Sequence, residues 1–385
     1  DRLVALVDRG QVDLYGAADV PVNVLTRDGM LTGTHVTMVE ADRTLMVHGA
    51  GALTFVLADR NVPSGAGPVT FQPDPLRSAT VRWSEWMRFD DGQGRASFTG
   101  DVVLDARNGH DTTHLEAQRL DLAFTSGEAE SGVTFARPQA AIADTGSPLM
   151  ERMMGGDRQI RSVVADGAVV FLNESWVDEP GQTLATRLRM AGPRLTFNHG
   201  TAQVRIEGEG SMLVQEERRK NAADDGAAER MAFTGHGATV FTWQGSLTLD
   251  AEKNDMTILD RVRMVHRPHG KEEVVRLDCA TLVADLEETG GLRSWLGERG
   301  PQPAVVAIRA DEAVRITSQK YEVSTDHLLY TGADETVLLW ADEGGVTQVV
   351  QEDRPTPMSA ARFRWDLRRD VIQIDSGGPG RAPVR

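Results

Sequence analysis

Apolar and polar residues alternate with a period of two through most of this chain. Leu195-Thr196-Phe197, Val204-Arg205-Ile206, Leu247-Thr248-Leu249 and Val262-Arg263-Met264 each put every second side chain on one face. That is the mark of a β-strand with one buried and one wetted side. The recurring unit is an alternating strand, a polar turn and a second alternating strand that ends near glycine, as from Leu195 to Gly208. Helical spacing is confined to residues 147–155 and 291–297. There Leu149, Met150, Met153 and Met154, or Leu292, Trp295 and Leu296, predict one or two helical turns acting as connectors. Residues 58–68, 215–228 and 343–357 read as loops, the second rich in Glu, Arg, Lys, Ala and Asp.

The alternation repeats on a longer scale. Residues 30–53 align without a gap on residues 189–212 at an offset of 159, so that Gly33 meets Gly192, Thr37 meets Thr196, Gly49 meets Gly208 and Gly51 meets Gly210. Val36, Met38, Leu45 and Val47 meet Leu195, Phe197, Val204 and Ile206. At offset 160, Trp83 meets Trp243, Phe89-Asp90 meets Leu249-Asp250, Phe98 meets Ile258 and Val102 meets Val262. A shorter third copy follows Gly290, with Leu328, Tyr330, Val337 and Leu339 in the places of Leu195, Phe197, Val204 and Ile206, and Phe363-Arg364-Trp365-Asp366 like Met87-Arg88-Phe89-Asp90. The expected blocks are residues 1–145, 146–289 and 290–385. Hairpins in tandem cannot each bury an apolar face alone, so they are expected to stack and share it, giving an all-β protein of tandem antiparallel hairpin repeats.

Charge and chemistry narrow the function. The 385 residues carry 41 Lys and Arg against 57 Asp and Glu, a net charge of −16, which excludes a nucleic-acid partner held by clustered cations. Cys279 is the sole cysteine, so there is no disulfide framework and no thiolate cage. It falls on an alternating strand, where a buried structural role is expected. No apolar run approaches the roughly 18 residues of a membrane helix. The chain opens directly into strand-like sequence, and an export signal or membrane anchor is expected upstream of it. His110 and His114, with Asp111 and Glu116, lack a common helical face for a metal, and His266 and His269 flank Pro268 in an expected loop. Asp90 and Asp250 recur after equivalent strands and read as turn formers. Gly49-Ala50-Gly51 and Gly208-Glu209-Gly210 lack the strand, loop and helix of a phosphate cradle and read as bends. No nucleophile elbow occurs. The chain is expected to be no enzyme, with no cofactor and no metal.

The stretch Ala96-Ser97-Phe98-Thr99-Gly100-Asp101-Val102-Val103-Leu104, followed by Leu115-Glu116-Ala117-Gln118-Arg119-Leu120, resembles the repeat of the OstA-like superfamily, and residues 325–339 fit the same pattern. That superfamily includes the lipopolysaccharide-transport proteins LptA and LptC. The resemblance implies an elongated, twisted, V-shaped β-jellyroll in the periplasm that holds the acyl chains of a lipid A-type amphiphile in an apolar groove. It also implies edge-strand pairing with related β-jellyroll proteins and an inner-membrane transporter or outer-membrane assembly as partners. Three copies in one chain exceed the usual single module.

An acyl chain in water needs shielding worth roughly 0.8 kcal/mol per methylene, so a continuous trough is required. The shared register names its expected lining: Val36, Met38, Leu45, Val47, Phe89, Phe98 and Val102; Leu195, Phe197, Val204, Ile206, Leu249, Ile258 and Val262; Leu328, Tyr330, Val337 and Leu339. The plainer reading of the same residues is a core packed against itself. Alternatives to lipid transport are a non-enzymatic envelope scaffold or polysaccharide-binding solenoid, which calls for exposed aromatics, and a β-helical carbohydrate enzyme, which calls for clustered carboxylates.

Overall fold

A computed structural model describes residues 2–6, 10–17, 20–25, 29–56, 77–124, 160–177, 182–217, 237–270, 272–287 and 305–375. The chain is all-β and antiparallel, with no helix among these residues. The expected connectors at 147–155 and 291–297, the expected loop at 58–68, most of that at 215–228, and the block boundaries at 145/146 and 289/290 lie outside the described residues.

The contacts divide the chain into two compact units, one of residues 1–170 with 196–200, the other of residues 171–195 with 201–385. In chain order the first unit contains β1 (Arg2–Leu6), β2 (Gln11–Tyr15), β3 (Val22–Leu25), β4 (Gly29–Val39), β5 (Thr44–Val56), β6 (Arg77–Trp83), β7 (Trp86–Asp90), β8 (Arg95–Asn108) and β9 (Asp111–Phe124). The unit boundaries fall within β10 (Ile160–Trp176) and β11 (Leu184–Asn198). The second unit continues with β12 (Gln203–Glu207), β13 (Gly210–Glu216), β14 (Gly237–Trp243), β15 (Ser246–Asp250), β16 (Asp255–Pro268), β17 (Val275–Leu286), β18 (Val305–Thr317), β19 (Tyr321–Thr331), β20 (Thr336–Trp340), β21 (Thr347–Gln351), β22 (Arg354–Ala360), β23 (Arg362–Asp366) and β24 (Val371–Ile374).

In the first unit the long strands β4, β5 and β8 each serve two ladders. The first half of β5 pairs with β7, Leu45 opposite Phe89, and its second half pairs with β6, Leu53 opposite Val81. β8 does the same with its halves. The second unit repeats the scheme: β12 pairs with β15, β13 with β14, and both ladders meet again on β16.

Between their halves β8, β16 and β18 each turn a corner at a bulge, and these three corners have a common construction. On β8, Gly100 and Asp101 stand opposite Gln118 alone; on β16, Asp260 and Arg261 stand opposite Ala280; on β18, Glu312 and Ala313 stand opposite Asp326. All six bulged residues have positive φ, from 42° at Asp101 to 84° at Gly100. The extra residue matches the four-residue spacing of Phe98 and Val102 on β8 to the three-residue spacing of Leu120 and Ala117 on facing β9, and all four stay buried. A side chain bearing Cβ pays to sit in the left-handed region, and arginine has no local hydrogen bond to offset the cost. Arg261→Gly is therefore expected to stabilise the protein by up to about 1 kcal/mol in urea unfolding.

The 159–160 offset reappears in the packing. Trp83 Nε1 donates to the Gly49 carbonyl at 3.1 Å, and Trp243 Nε1 donates to the Gly208 carbonyl at 3.0 Å. A Cβ on Gly51 would lie 2.5 Å from the Trp83 ring and 2.6 Å from the Thr32 carbonyl; on Gly210 it would lie 2.6 Å from the Trp243 ring and 2.7 Å from the Ala191 carbonyl. A Cβ on Gly33 would run into Val47, as one on Gly192 would into Ile206. These glycines admit the neighbouring side chain, so each pair works as a lock between adjacent strands. The turn aspartates also behave alike: Asp90 Oδ1 accepts from the Gln93 amide, and Asp250 Oδ1 from those of Glu252 and Lys253. In the third copy Val337 stands opposite Trp365 and Leu339 opposite Phe363, as Leu45 and Val47 stand opposite Phe89 and Met87.

Two local expectations need correction. Residues 343–357 are no simple loop: they contain β21 and the start of β22, because Thr347 and Val349 alternate onto the buried face. Pro355 and Pro357 are tolerated on β22, which pairs with β21 along one side. His266 lies within β16 and is 1% exposed, its side chain on the same face as Val262 and Met264, so the loop expected around it begins only after Pro268.

Candidate functional site

The inward positions named from the repeat are brought into cross-strand contact by the ladders. In the first unit Val36 faces Val47, Met38 faces Leu45, Leu45 faces Phe89, Phe98 faces Leu120 and Val102 faces Ala117. In the second, Val204 faces Leu249, Ile206 faces Leu247, Ile258 faces Leu282, Val262 faces Cys279, Leu328 faces Leu339 and Tyr330 faces Val337. All of the named positions, Leu195 included, are buried except Met38 and Phe197, which are half-buried. The buried ones are at most 5% exposed, so in this state side chains fill the interior.

Reading one face per hairpin took in only Val102 and Val262 from beyond the corners of β8 and β16 and left out most of the second ladder. Leu31, Leu53 and Val81 in the first unit, and Met212, Met264 and Leu277 in the second, form the second ladder's apolar side. Near the end of the second unit the two ladders meet directly: the ring of Tyr321, on the half of β19 that pairs with β21, lies 4.7 Å from that of Trp365 on β23, and its hydroxyl donates to Asp370 at 2.9 Å. Burial and the Asp370 carboxylate push the Tyr321 hydroxyl up to about 12.

One inward position is polar and incompletely paired. His266 Nδ1 lies 2.8 Å from Thr239 Oγ1 on β14, while Nε2 is buried and has no hydrogen-bond partner. Burial holds the imidazole down at about 4, neutral at physiological pH. Cys279 is also buried, and burial pushes its thiol up to about 12, out of reach of thiolate chemistry.

The outward phase of the first unit carries a row of rings that the sequence reading passed over. Tyr15, His35, His48 and Trp86 occupy consecutive cross-strand positions on β2, β4, β5 and β7. Tyr15 stacks on His35 at 4.2 Å, and His35 on His48 at 4.7 Å. Behind them Asp13 is 6% exposed and accepts from Thr37 Oγ1 at 2.7 Å, with His35 Nε2 at 3.0 Å. The Thr37 hydrogen bond first, then those of His35 and Gln11, hold the Asp13 carboxyl below its usual range. Beyond His48 a shallow depression of about 430 Å³ is lined by Met46, His48, Gly49, Glu85, Trp86 and Arg88. The second unit has a shorter counterpart: His327 stacks on Trp340 at 5.1 Å and lies between Asp311 and Asp342, which raise its basicity, Asp311 foremost.

His110 is exposed, and His114 on β9 is held by Asp105 at 2.6 Å and Glu116 at 3.0 Å. Among the described residues no group of three His, Cys, Asp or Glu side chains is placed to hold a metal ion. No protein-family model, curated protein or solved structure matches the chain.

Proposed function

We propose that this chain is a non-enzymatic periplasmic carrier or bridge component for lipopolysaccharide-like lipids, a multi-copy relative of the OstA-like proteins it resembles. The observation that carries the reading is the apolar inner face common to both ladders of each unit, renewed along the long strands. A pocket for one small molecule needs convergent polar groups at one place; a carrier of alkyl chains needs a long apolar face with few of them. Because the inner face is closed in the described state, loading requires the ladders to part, exposing apolar surface at roughly 25 cal/mol per Å² that the incoming chains cover again. Partners follow from the same logic. β24 pairs with β23 on one side, and Val371 and Ile374 on it are exposed. Its other side is the proposed edge for a related β-jellyroll protein, reached through main-chain hydrogen bonds, in a line between an inner-membrane transporter and the outer-membrane assembly.

Photo-crosslinking side chains at the half-buried inward positions Met38 and Phe197, and at Ile206, are expected to capture lipid in cells at several times the yield of outward Arg205. Equal yields at inward and outward positions would overturn the carrier. The second reading, a polysaccharide-binding envelope scaffold, is favoured by the ring row of exposed Tyr15 and His48 with half-buried His35 and Trp86, since sugars stack on such surfaces. Glycan binding abolished by Trp86→Ala, with no lipid captured inside, would decide for it.

A further inference from the structure

We infer that the space beside His266 Nε2 is a hydrogen-bonding subsite for the carbonyl of an ester- or amide-linked acyl chain. The inference rests on the acyl-carrier reading and adds to it a fixed polar point in the second unit.

The residue has no architectural reason to be polar. Its counterpart at offset 160 is Ala106, and the counterpart of Thr239 is Ala79. Both pairs face each other in the same register, Ala79 with Ala106 and Thr239 with His266. The repeat thus folds with two alanines at this rung, and the second copy places an imidazole and a hydroxyl there instead. A buried nitrogen without a partner costs stability, so the substitution works against the fold unless something else completes it.

The surroundings fit one kind of ligand group. Along this rung Leu188, Val214, Thr239, His266 and Val275 stand side by side on adjacent strands. Leu188, His266 and Val275 are buried, whereas Val214 and Thr239 are half-buried, so this end of the inner face is the more accessible one. The next inward residues, Phe241, Met264 and Leu277, are apolar and buried. An alkyl chain lying on them would bring the first polar atom of its linkage to the level of His266. In the tautomer in which Nδ1 accepts from the Thr239 hydroxyl, Nε2 carries the proton and donates; an uncharged carbonyl oxygen is the acceptor that such a neutral imidazole in apolar surroundings can satisfy. An alkyl ether offers a weaker acceptor at the same place.

The test displaces the apolar dye N-phenyl-1-naphthylamine with two amphiphiles of equal chain length, N-dodecanoylglucosamine, which has the carbonyl, and dodecyl glucoside, which lacks it. The wild-type protein is expected to prefer the amide by about ten-fold, the worth of one buried hydrogen bond. His266→Phe should remove the preference and leave dodecyl glucoside binding unchanged. The double variant Thr239→Ala/His266→Ala, which installs the alanine pair the first copy tolerates, guards against misfolding and should behave the same. If the preference is absent in the wild type, or survives in both variants, the subsite falls and the carrier stands. If neither amphiphile displaces the dye from any form, the carrier reading itself falls.

Discussion

Phe98→Asp is expected to leave the first unit unfolded. Phe98 is fully buried, lies opposite Met87 and Leu120 on its two neighbouring strands, and its ring packs 5.3 Å from that of Trp83. The variant loses an aromatic side chain from the core, about 3–5 kcal/mol, and puts in its place a carboxylate among Met87, Leu120 and Trp83. The sum exceeds about 5 kcal/mol, the lower end of what holds a domain together. Circular dichroism and urea titration should show the loss of a cooperative transition, whereas Ser97→Asp, on the opposite face, should retain one. A folded Phe98→Asp protein with an unchanged midpoint would mean that the interior is wet at this point.

Trp243→Ala is expected to cost about 3–5 kcal/mol, and Trp83→Ala a similar amount, because both rings fill the same place in equivalent locks. Each variant leaves a void over a glycine and strands a carbonyl, that of Gly208 or of Gly49, whose hydrogen bond came from the indole. The reciprocal change separates the two contributions. Gly210→Ala keeps the indole but drives a methyl group against the Trp243 ring and the Ala191 carbonyl, and since the backbone on that side cannot retreat, it should destabilise as well. Trp243→Ala combined with Gly210→Ala should then cost less than the sum of the single changes, as neighbours sharing one space do. Strict additivity in urea unfolding would show that the tryptophan is not seated on that glycine.

Much of the fold is legible in the chain because strand formation here rests on local alternation, and the alternation is clean within each half-strand. The register between copies is legible for a further reason: glycine and tryptophan positions that depend on one another cannot drift apart, so Gly51 with Trp83 and Gly210 with Trp243 keep their spacing almost unchanged. The corners are another matter. A bulge on one strand and a three-residue step on the next, as at Gly100-Asp101 and between Ala117 and Leu120, interrupt the period-two signal where the strand changes ladder. Half-strands beyond the corner then look like separate short elements. That is why the second ladder of Leu31, Leu53 and Val81 was not assigned to the same interior, and why the β21–β22 hairpin, with its two prolines, read as a loop.

The candidate site divides the same way. Aliphatic inner positions announce themselves by alternation. The rings of Tyr15, His35 and His48 do not, since they occupy the polar phase of their strands and come together only across strands whose pairing the sequence leaves open. His266 was hidden by Pro268, which made its strand appear to end too soon.

The glycine–tryptophan lock bears on how such a molecule acquires length. Its members lie some thirty residues apart (Gly51 and Trp83, Gly210 and Trp243), so a tandem duplication of the gene segment carries both across in one event, together with the corner residues between neighbouring strands. The new copy arrives with its internal fastenings complete and asks of its host only an adjacent strand to dock on. Divergence can then proceed rung by rung, as Ala79 and Ala106 in one copy beside Thr239 and His266 in the other illustrate.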